Sequence, residues 1–186
     1  MNRHEQYSLL LLAGGKSSRM GKDKAQLLYK EKTFLQTLIE KAEKVGITQI
    51  YLSGHDGDEQ KVQIVWDMYP ECGPLGGLHA CMKKMKTPYC LVLPVDVPQI
   101  PQEFLEKLLS HHEQQENFAE SKQLPLLVKH GDRLEHLIGI YPITMVDFIE
   151  EKIKNSQLAV HRMLKEWGVN RYGIELPEWQ IENVNT

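Results

Sequence analysis

Cysteine is scarce in this chain, and the little there is does not pair. Cys72, Cys81 and Cys90 form an odd set with no CxxC spacing and no cysteine/histidine cluster at zinc-ligand spacing. A disulfide framework and a structural zinc site are therefore excluded, and a reducing, cytoplasmic setting is expected. Long hydrophobic runs are missing as well. The apolar stretch near the start, residues 9–13, is far too short to span a bilayer, and no small-residue cleavage site follows it, so neither membrane anchoring nor export is expected. Positive charge is not in excess either: 22 Lys+Arg stand against 25 Asp+Glu, for a net charge of −3. A surface that grips nucleic acid as a whole is excluded, and any phosphate must be bound locally. No repeat, low-complexity tract or Pro/Ser-rich linker divides the 186 residues, 41% of them hydrophobic. Residues 1–186 are expected to form one domain that buries its core unaided, after a flexible start at residues 1–6.

What is present is an alternation of strand-like and helix-like segments. Residues 7–13 are apolar on both faces and stop at Gly14-Gly15, as in a strand buried within a parallel sheet. Phe34, Leu35, Leu38, Ile39, Ala42 and Val45 recur at helical spacing, with Gly46 as the stop. Strands are predicted at 50–52, 62–66, 89–95, 124–128 and 134–141, and helices at 75–85, from 101 to about 118, at 145–153 and at 160–167. This pattern predicts a three-layer α/β/α sandwich with a mostly parallel, Rossmann-like sheet, whose ligand lies at the carboxyl ends of the strands.

The strongest chemical signal is LAGGKSSRMGKDK at residues 12–24, a glycine-rich loop leaving a buried strand and carrying Lys16, Arg19, Lys22 and Lys24 against the single acid Asp23. Glycines let the main chain approach a ligand closely and aim N–H groups at it, while Arg and Lys supply the charge that a polyphosphate needs. An ordinary βα turn with solvated lysines is the alternative. The loop is not a P-loop, because five residues rather than four separate Gly15 from Gly21 and Lys22 precedes Asp23 rather than Ser or Thr; it also lacks the dinucleotide fingerprint. Asp96 follows an apolar strand, and a carboxylate there is costly beside a core unless a hard cation shared with phosphate compensates, which makes it the candidate magnesium ligand. A turn or capping aspartate is the alternative. Between these segments, Asp67 ends a short strand ahead of the turn CGPLGG at 72–77; Gly73, Gly76 and Gly77 would let backbone lie against a nucleoside, and Asp67 would accept hydrogen bonds from a base or metal-bound water, with a plain loop as the alternative. The pair His111-His112 reads as a solvated helix face, and His136 as a half-buried strand residue or the lining of an acceptor pocket.

Taken together, LAGGKSSRMGKDK, CGPLGG, PVDVPQIP at 94–101, EHLIGIYP at 135–142 and the closing Glu-Asn183-Val-Asn185-Thr resemble the molybdenum cofactor guanylyltransferases, the MobA-like nucleotidyltransferases, along nearly the whole chain. The opening loop alone is shared with sugar-nucleotide and cytidylyl transferases; the compact length and the Asn-Val-Asn-Thr ending narrow the resemblance. It implies the nucleotide-diphospho-sugar transferase fold and magnesium-dependent transfer of GMP from GTP to the phosphate of molybdenum-molybdopterin, with release of pyrophosphate. It further implies that Leu12, Ala13, Gly14 and Gly15 hold GTP, that Lys24 contacts the triphosphate, that Arg19 supplies loop charge, that Asp67 contacts the guanine nucleotide, and that Asp96 binds nucleotide and Mg2+. Asn183 and Asn185 would help seat the molybdopterin-type acceptor, and other molybdenum cofactor biosynthesis or acceptor proteins are implied partners. Ser53 stands where relatives carry an asparagine that touches the nucleotide, and the chain stops at Thr186 without the helix that often follows this tail. Guanine itself is inherited from the resemblance; the residues alone reach a nucleoside triphosphate. A cytidylyltransferase or sugar-phosphate nucleotidyltransferase, and a non-catalytic nucleotide-binding adaptor, remain the alternatives.

Overall fold

The structure, a computed structural model, describes residues 2–13, 27–29, 31–54, 61–116 and 123–174. At its centre lies β1 (Tyr7–Leu12), every residue of which is buried. Its apolar run on both faces suits it to the interior of a parallel sheet. It pairs in parallel with β4 (Ile50–Ser53) on one side and β6 (Tyr89–Pro94) on the other. Two short strands, β2 (Leu28–Tyr29) and β3 (Lys32–Thr33), form a separate antiparallel pair before α2.

Helix α2 (Phe34–Lys44) begins and ends where its sequence dictates. Thr33 and Gln36 close a capping box: the Gln36 N–H donates to Thr33 Oγ1 at 3.1 Å and the Thr33 N–H to Gln36 Oε1 at 3.2 Å. Such a cap contributes about 1 kcal/mol. At the other end Gly46 takes φ +88°, and the N–H groups of Gly46 and Ile47 return to the carbonyls of Glu43 and Ala42, the glycine-terminated motif that satisfies the last turn.

The remaining strands, β5 (Gln63–Val65), β7 (Leu126–His130), β8 (Arg133–Pro142) and β9 (Asn170–Ile174), complete a seven-stranded sheet in the order β5-β4-β1-β6-β8-β7-β9. Only β8 runs against its neighbours, β6 and β7. Alternate residues of β1 feed two apolar layers. Leu9 and Leu11 pack with α2 and with α4 (Gln102–Glu116), and Leu10 and Leu12 pack with α3 (Pro74–Met82), α5 (Val146–Lys154) and α6 (Val160–Trp167). The expected three-layer α/β/α sandwich with a mostly parallel sheet is what the chain forms.

Three features depart from the sequence reading. Residues expected to form a flexible start include a short helix, α1 (Arg3–Gln6), docked by Arg3, whose guanidinium binds Glu113 at 2.8 Å, Glu106 at 2.7 Å and the Val45 carbonyl at 3.2 Å. β9 was not anticipated. His112, expected on a solvated face, is buried, with Nδ1 2.9 Å from the Tyr7 hydroxyl and its ring edge-on to Tyr89.

Gly139 lies in β8 against the Leu126 carbonyl and the Leu127 backbone so closely that a Cβ would overlap them, whereas a Cβ on Gly173 in β9 meets nothing within 4 Å. In urea unfolding, Gly139→Ala is expected to cost about 1–3 kcal/mol through overpacking, and Gly173→Ala to stay within about 0.5 kcal/mol of the parent. Equal effects would contradict this packing.

Candidate functional site

Several parallel strands stop at one level. Leu12 stands opposite Ser53 of β4 and Pro94 of β6, and Ser53 opposite Val65 of β5. Past those ends the Ala13 N–H donates to the Ser53 carbonyl at 3.3 Å and the Val95 N–H to the Leu12 carbonyl at 3.1 Å. Helix α2, which follows β1, covers one face of the sheet, and α3, which precedes β6, covers the other. The gap between β1 and β6 is thus the point where the winding reverses, and the crevice above it is where open α/β sheets bind ligands.

Two carboxylates project from this edge. Asp96, two residues beyond β6, is 8% exposed. The loop after it is tied to α2 by Lys41, whose Nζ donates to the carbonyls of Pro98 at 2.6 Å and Ile100 at 2.7 Å. Asp67, two residues beyond β5, is half-buried, and its Oδ1 accepts no hydrogen bond among the described residues. Burial pushes the Asp67 carboxyl above its ordinary pKa, as expected when an ionised group is withdrawn from water without a partner. Trp66 and Met68, on either side of it in the chain, are more than half exposed and give the rim an apolar surface.

The start of α3 is pressed onto these groups. A Cβ on Gly76 would come within 2.7 Å of Asp67 Oδ2, and one on Gly77 within 2.7 Å of Ser53 Oγ and 3.0 Å of Leu12. The sequence reading gave both glycines to contact with a nucleoside. The structure uses them to let the helix settle against Asp67 and Ser53. Ser53 itself is 2% exposed and packs under the helix.

The segment carrying Asp67 is anchored from a distance. Tyr69 donates its hydroxyl to Glu150 Oε1 at 2.7 Å, and Glu150 also takes Lys83 at 3.1 Å and Lys154 at 3.0 Å. The Tyr69 hydroxyl and the two ammonium groups hold the Glu150 carboxyl down at about 2. His79, wholly buried on α3, lies 5.3 Å ring to ring from Tyr69 and 3.8 Å from Glu150 Oε2, beyond hydrogen-bonding reach; burial, foremost, pushes its pKa down and keeps it neutral. Sequence reasoning missed this anchor, because Tyr69 and Glu150 are 81 positions apart and neither sits in a recognisable motif.

Of the residues singled out from sequence, Leu12, Ala13, Asp67 and Asp96 gather at this one sheet edge. Gly14, Gly15, Arg19, Lys24, Asn183 and Asn185 lie outside the described residues. The last described residue of β9, Ile174, stands beside His130 at the same end of the sheet. Among the described residues no group of three or more His, Cys, Asp or Glu is placed to hold a metal ion. That arrangement still fits Mg2+, which is commonly held by one or two carboxylates plus substrate phosphates and water. The strands that lead to Asp67 and Asp96 are three sheet spacings apart, about 14 Å, which favours separate duties over one shared ion. No helix among the described residues is long and apolar enough to cross a membrane.

Residues 9–168 match the family model described as the MobA-like NTP transferase domain. A protein of Aquifex aeolicus (strain VF5) with the name "Probable molybdenum cofactor guanylyltransferase" is 30% identical over 95% of this chain and 84% of its own length. One of the same name from Clostridium perfringens (strain 13 / Type A) is 34% identical over 80% and 72%. In fold, the chain superposes on a crystal structure from Aquifex aeolicus VF5 with a TM-score of 0.73 at 23% identity, covering 98% of this chain and 95% of that one. It superposes on molybdopterin-guanine dinucleotide biosynthesis protein A from Archaeoglobus fulgidus with a TM-score of 0.71 at 22% identity, covering 89% and 83%.

The raised pKa of Asp67 gives a stability test. Because its folded pKa is raised, Asp67 contributes most favourably below its ordinary value of 3.8, and that contribution is lost as pH rises through the folded value. Asp67→Asn is therefore expected to melt above the parent at pH 7 without ligand, with the gap closing as pH falls toward 3.8. A variant that melts lower at neutral pH would mean that the carboxylate has a stabilising partner.

Proposed function

Because the chain belongs to the MobA-like NTP transferase family and is a nucleotidyltransferase, we propose that it transfers GMP from GTP, with Mg2+, to the phosphate of molybdenum-molybdopterin. The products would be the guanine dinucleotide form of the cofactor and pyrophosphate. The observation that carries this reading is a buried Asp96 at the end of β6, on the winding reversal, with an Asp67 oxygen that has no partner among the described residues on the same edge. The names carried by the relatives at 30% and 34% identity support the choice of GTP and of a molybdopterin acceptor.

In this reading Leu12, Ala13, Gly14 and Gly15 receive the nucleotide through their main chain. The base lies toward Trp66 and Asp67, where the free Oδ1 accepts N–H groups from the guanine edge. Lys24 and Arg19 neutralise the triphosphate, and Asn183 and Asn185 help to seat the acceptor. Asp96 would hold Mg2+, which when bound lowers the charge on the phosphates. An oxygen of the acceptor phosphate forms a bond to the α-phosphorus as the bond from that phosphorus to the bridging oxygen breaks, and pyrophosphate carries away the electron pair. Both reactants are anions, so positioning and positive charge account for the catalysis, and no side-chain nucleophile is needed. The shared sheet with an apolar layer on each face supports a single nucleotidyltransferase domain. The acceptor implies a cytoplasmic setting and exchange of cofactor with other proteins of molybdenum cofactor biosynthesis.

The test is pyrophosphate release with Mg2+ and molybdopterin-type acceptor, offering GTP, CTP, ATP and UTP in parallel. Release with GTP alone is expected; release with CTP would move the protein to the cytidylyltransferases, and none despite tight binding would indicate a nucleotide-binding adaptor. Asp96→Asn should lower turnover by about 10²-fold or more with an unchanged melting profile. Lys24→Ala should weaken GTP binding by about 1.5–3 kcal/mol, the loss of a charge-assisted contact. Parent-like values in either variant would refute the assigned role.

A further inference from the structure

Strand β8 overruns its neighbour. Its pairing with β6 runs from Pro142 opposite Tyr89 to Gly139 opposite Val92; continued to Pro94 that register reaches Leu137, so the residues from Arg133 to His136 lie beyond the end of β6, with Arg133, Leu134 and Glu135 paired to β7. The register of β7 with β8 also breaks between Leu127 and Val128, where the partners jump from Gly139 to Glu135, and this irregularity bends the overhanging part. The overhang stands at the same edge as Asp96, and the first turn of α6 lies against it.

The result is a cavity of about 290 Å³ lined by Pro94, Arg133, Glu135, His136, Val160 and His161 among others. Pro94, in its wall, precedes the proposed metal ligand Asp96 by two residues. The rings of His136 and His161 face one another at 6.1 Å between centroids, tilted by 54°. Neither ring makes a hydrogen bond among the described residues. Arg133, whose side chain is largely exposed, donates from Nε to Glu135 at 2.8 Å and keeps further N–H donors. Burial, and then His161, push the His136 pKa down, so an anion placed between the rings would relieve an existing strain on the protonated form. Among the described residues these groups make no ligand set for a metal ion. The cavity is also small for a whole nucleoside triphosphate. Two imidazoles and a tethered guanidinium converging on a small space match a phosphate monoester, a compact dianion with several acceptor oxygens.

We propose that this cavity, between the overhang of β8 and the first turn of α6, seats the phosphate monoester of the acceptor, with His136 and His161 as its hydrogen-bond donors. The assignment to the acceptor rests on the nucleotidyltransferase reading above. It gives the acceptor phosphate a seat beside Asp96, on the β8 side of the β1–β6 crevice, with the nucleotide entering from the β1 side.

The experiment has a binding and a kinetic arm. The imidazole Cε1–H resonances, assigned with His136→Gln and His161→Gln, are followed by NMR during titration with inorganic phosphate, with chloride at matched ionic strength as control. Saturable movement of both resonances with phosphate but not chloride is expected, and loss of either imidazole should abolish the response of the other. In transfer assays each variant should raise the acceptor KM by about tenfold, the loss of a hydrogen bond to a charged group, with the KM for GTP unchanged. Resonances that stay still, an unchanged acceptor KM in an active enzyme, or equal displacement of phosphate by GTP would overturn the proposal. Saturable phosphate binding in a protein that performs no transfer would overturn the functional reading instead and leave the anion site standing.

Discussion

The register of the parallel strands around β1 is the constraint from which the rest of the structure follows. Leu12 lies level with Ser53 and Pro94, and Ser53 with Val65, so four strands release their chains at one height. A slip of one residue would turn the alternation of β1 inside out, sending Leu9 and Leu11 to the α3 side and Leu10 and Leu12 to the α2 side. Burial on both faces therefore fixes the register, and the register fixes where Asp67 and Asp96 emerge. The mutual bonds of Ala13 with Ser53 and of Val95 with Leu12 carry that alignment one residue past the strands.

Holding the half-buried Asp67 carboxylate at such an edge opposes stability, and the surroundings show how the fold tolerates it. Asp67 keeps an oxygen without a partner among the described residues, while the chain two residues further on is fastened by Tyr69 to a Glu150 that already holds two lysines. The glycines at 76 and 77 let α3 close over this arrangement where any side chain would collide. An unsatisfied, desolvated acceptor beside a firmly anchored backbone is the pattern of a site preorganised for a ligand that brings its own donors or cation.

Much of this was legible in the sequence because it depends on local pattern. The doubly apolar run of β1, the helical spacing and capping residues of α2, and acids placed just after apolar strands all express physics that acts over a few residues, and these segments formed as expected. What escaped notice depends on contacts distant in the chain. His112 looks solvated beside Glu and Gln, yet the docking of α4 on the core layer beneath β1 brings it to Tyr7. β9, with Asn170, Arg171 and Gly173, lacks a strand-like composition and forms as the edge partner of β7. His136 and His161 meet only because β8 outruns β6 and α6 folds back over it. Of the glycines in CGPLGG, Gly76 and Gly77 do meet a close approach, but the approaching groups are the protein's own Asp67 and Ser53, whereas Gly73 has open space and a positive φ of +58°.

The central claim is that the two carboxylates form a site completed jointly by nucleotide and cation. The most direct measurement is the melting temperature with Mg2+ alone, with a GTP analogue carrying a methylene bridge between the α- and β-phosphorus, and with both. Because ligands that bind only the folded state stabilise it by mass action, a joint shift larger than the sum of the separate ones is the expected result. A merely additive shift, or none with the analogue, would contradict a shared site at the ends of β1 and β6.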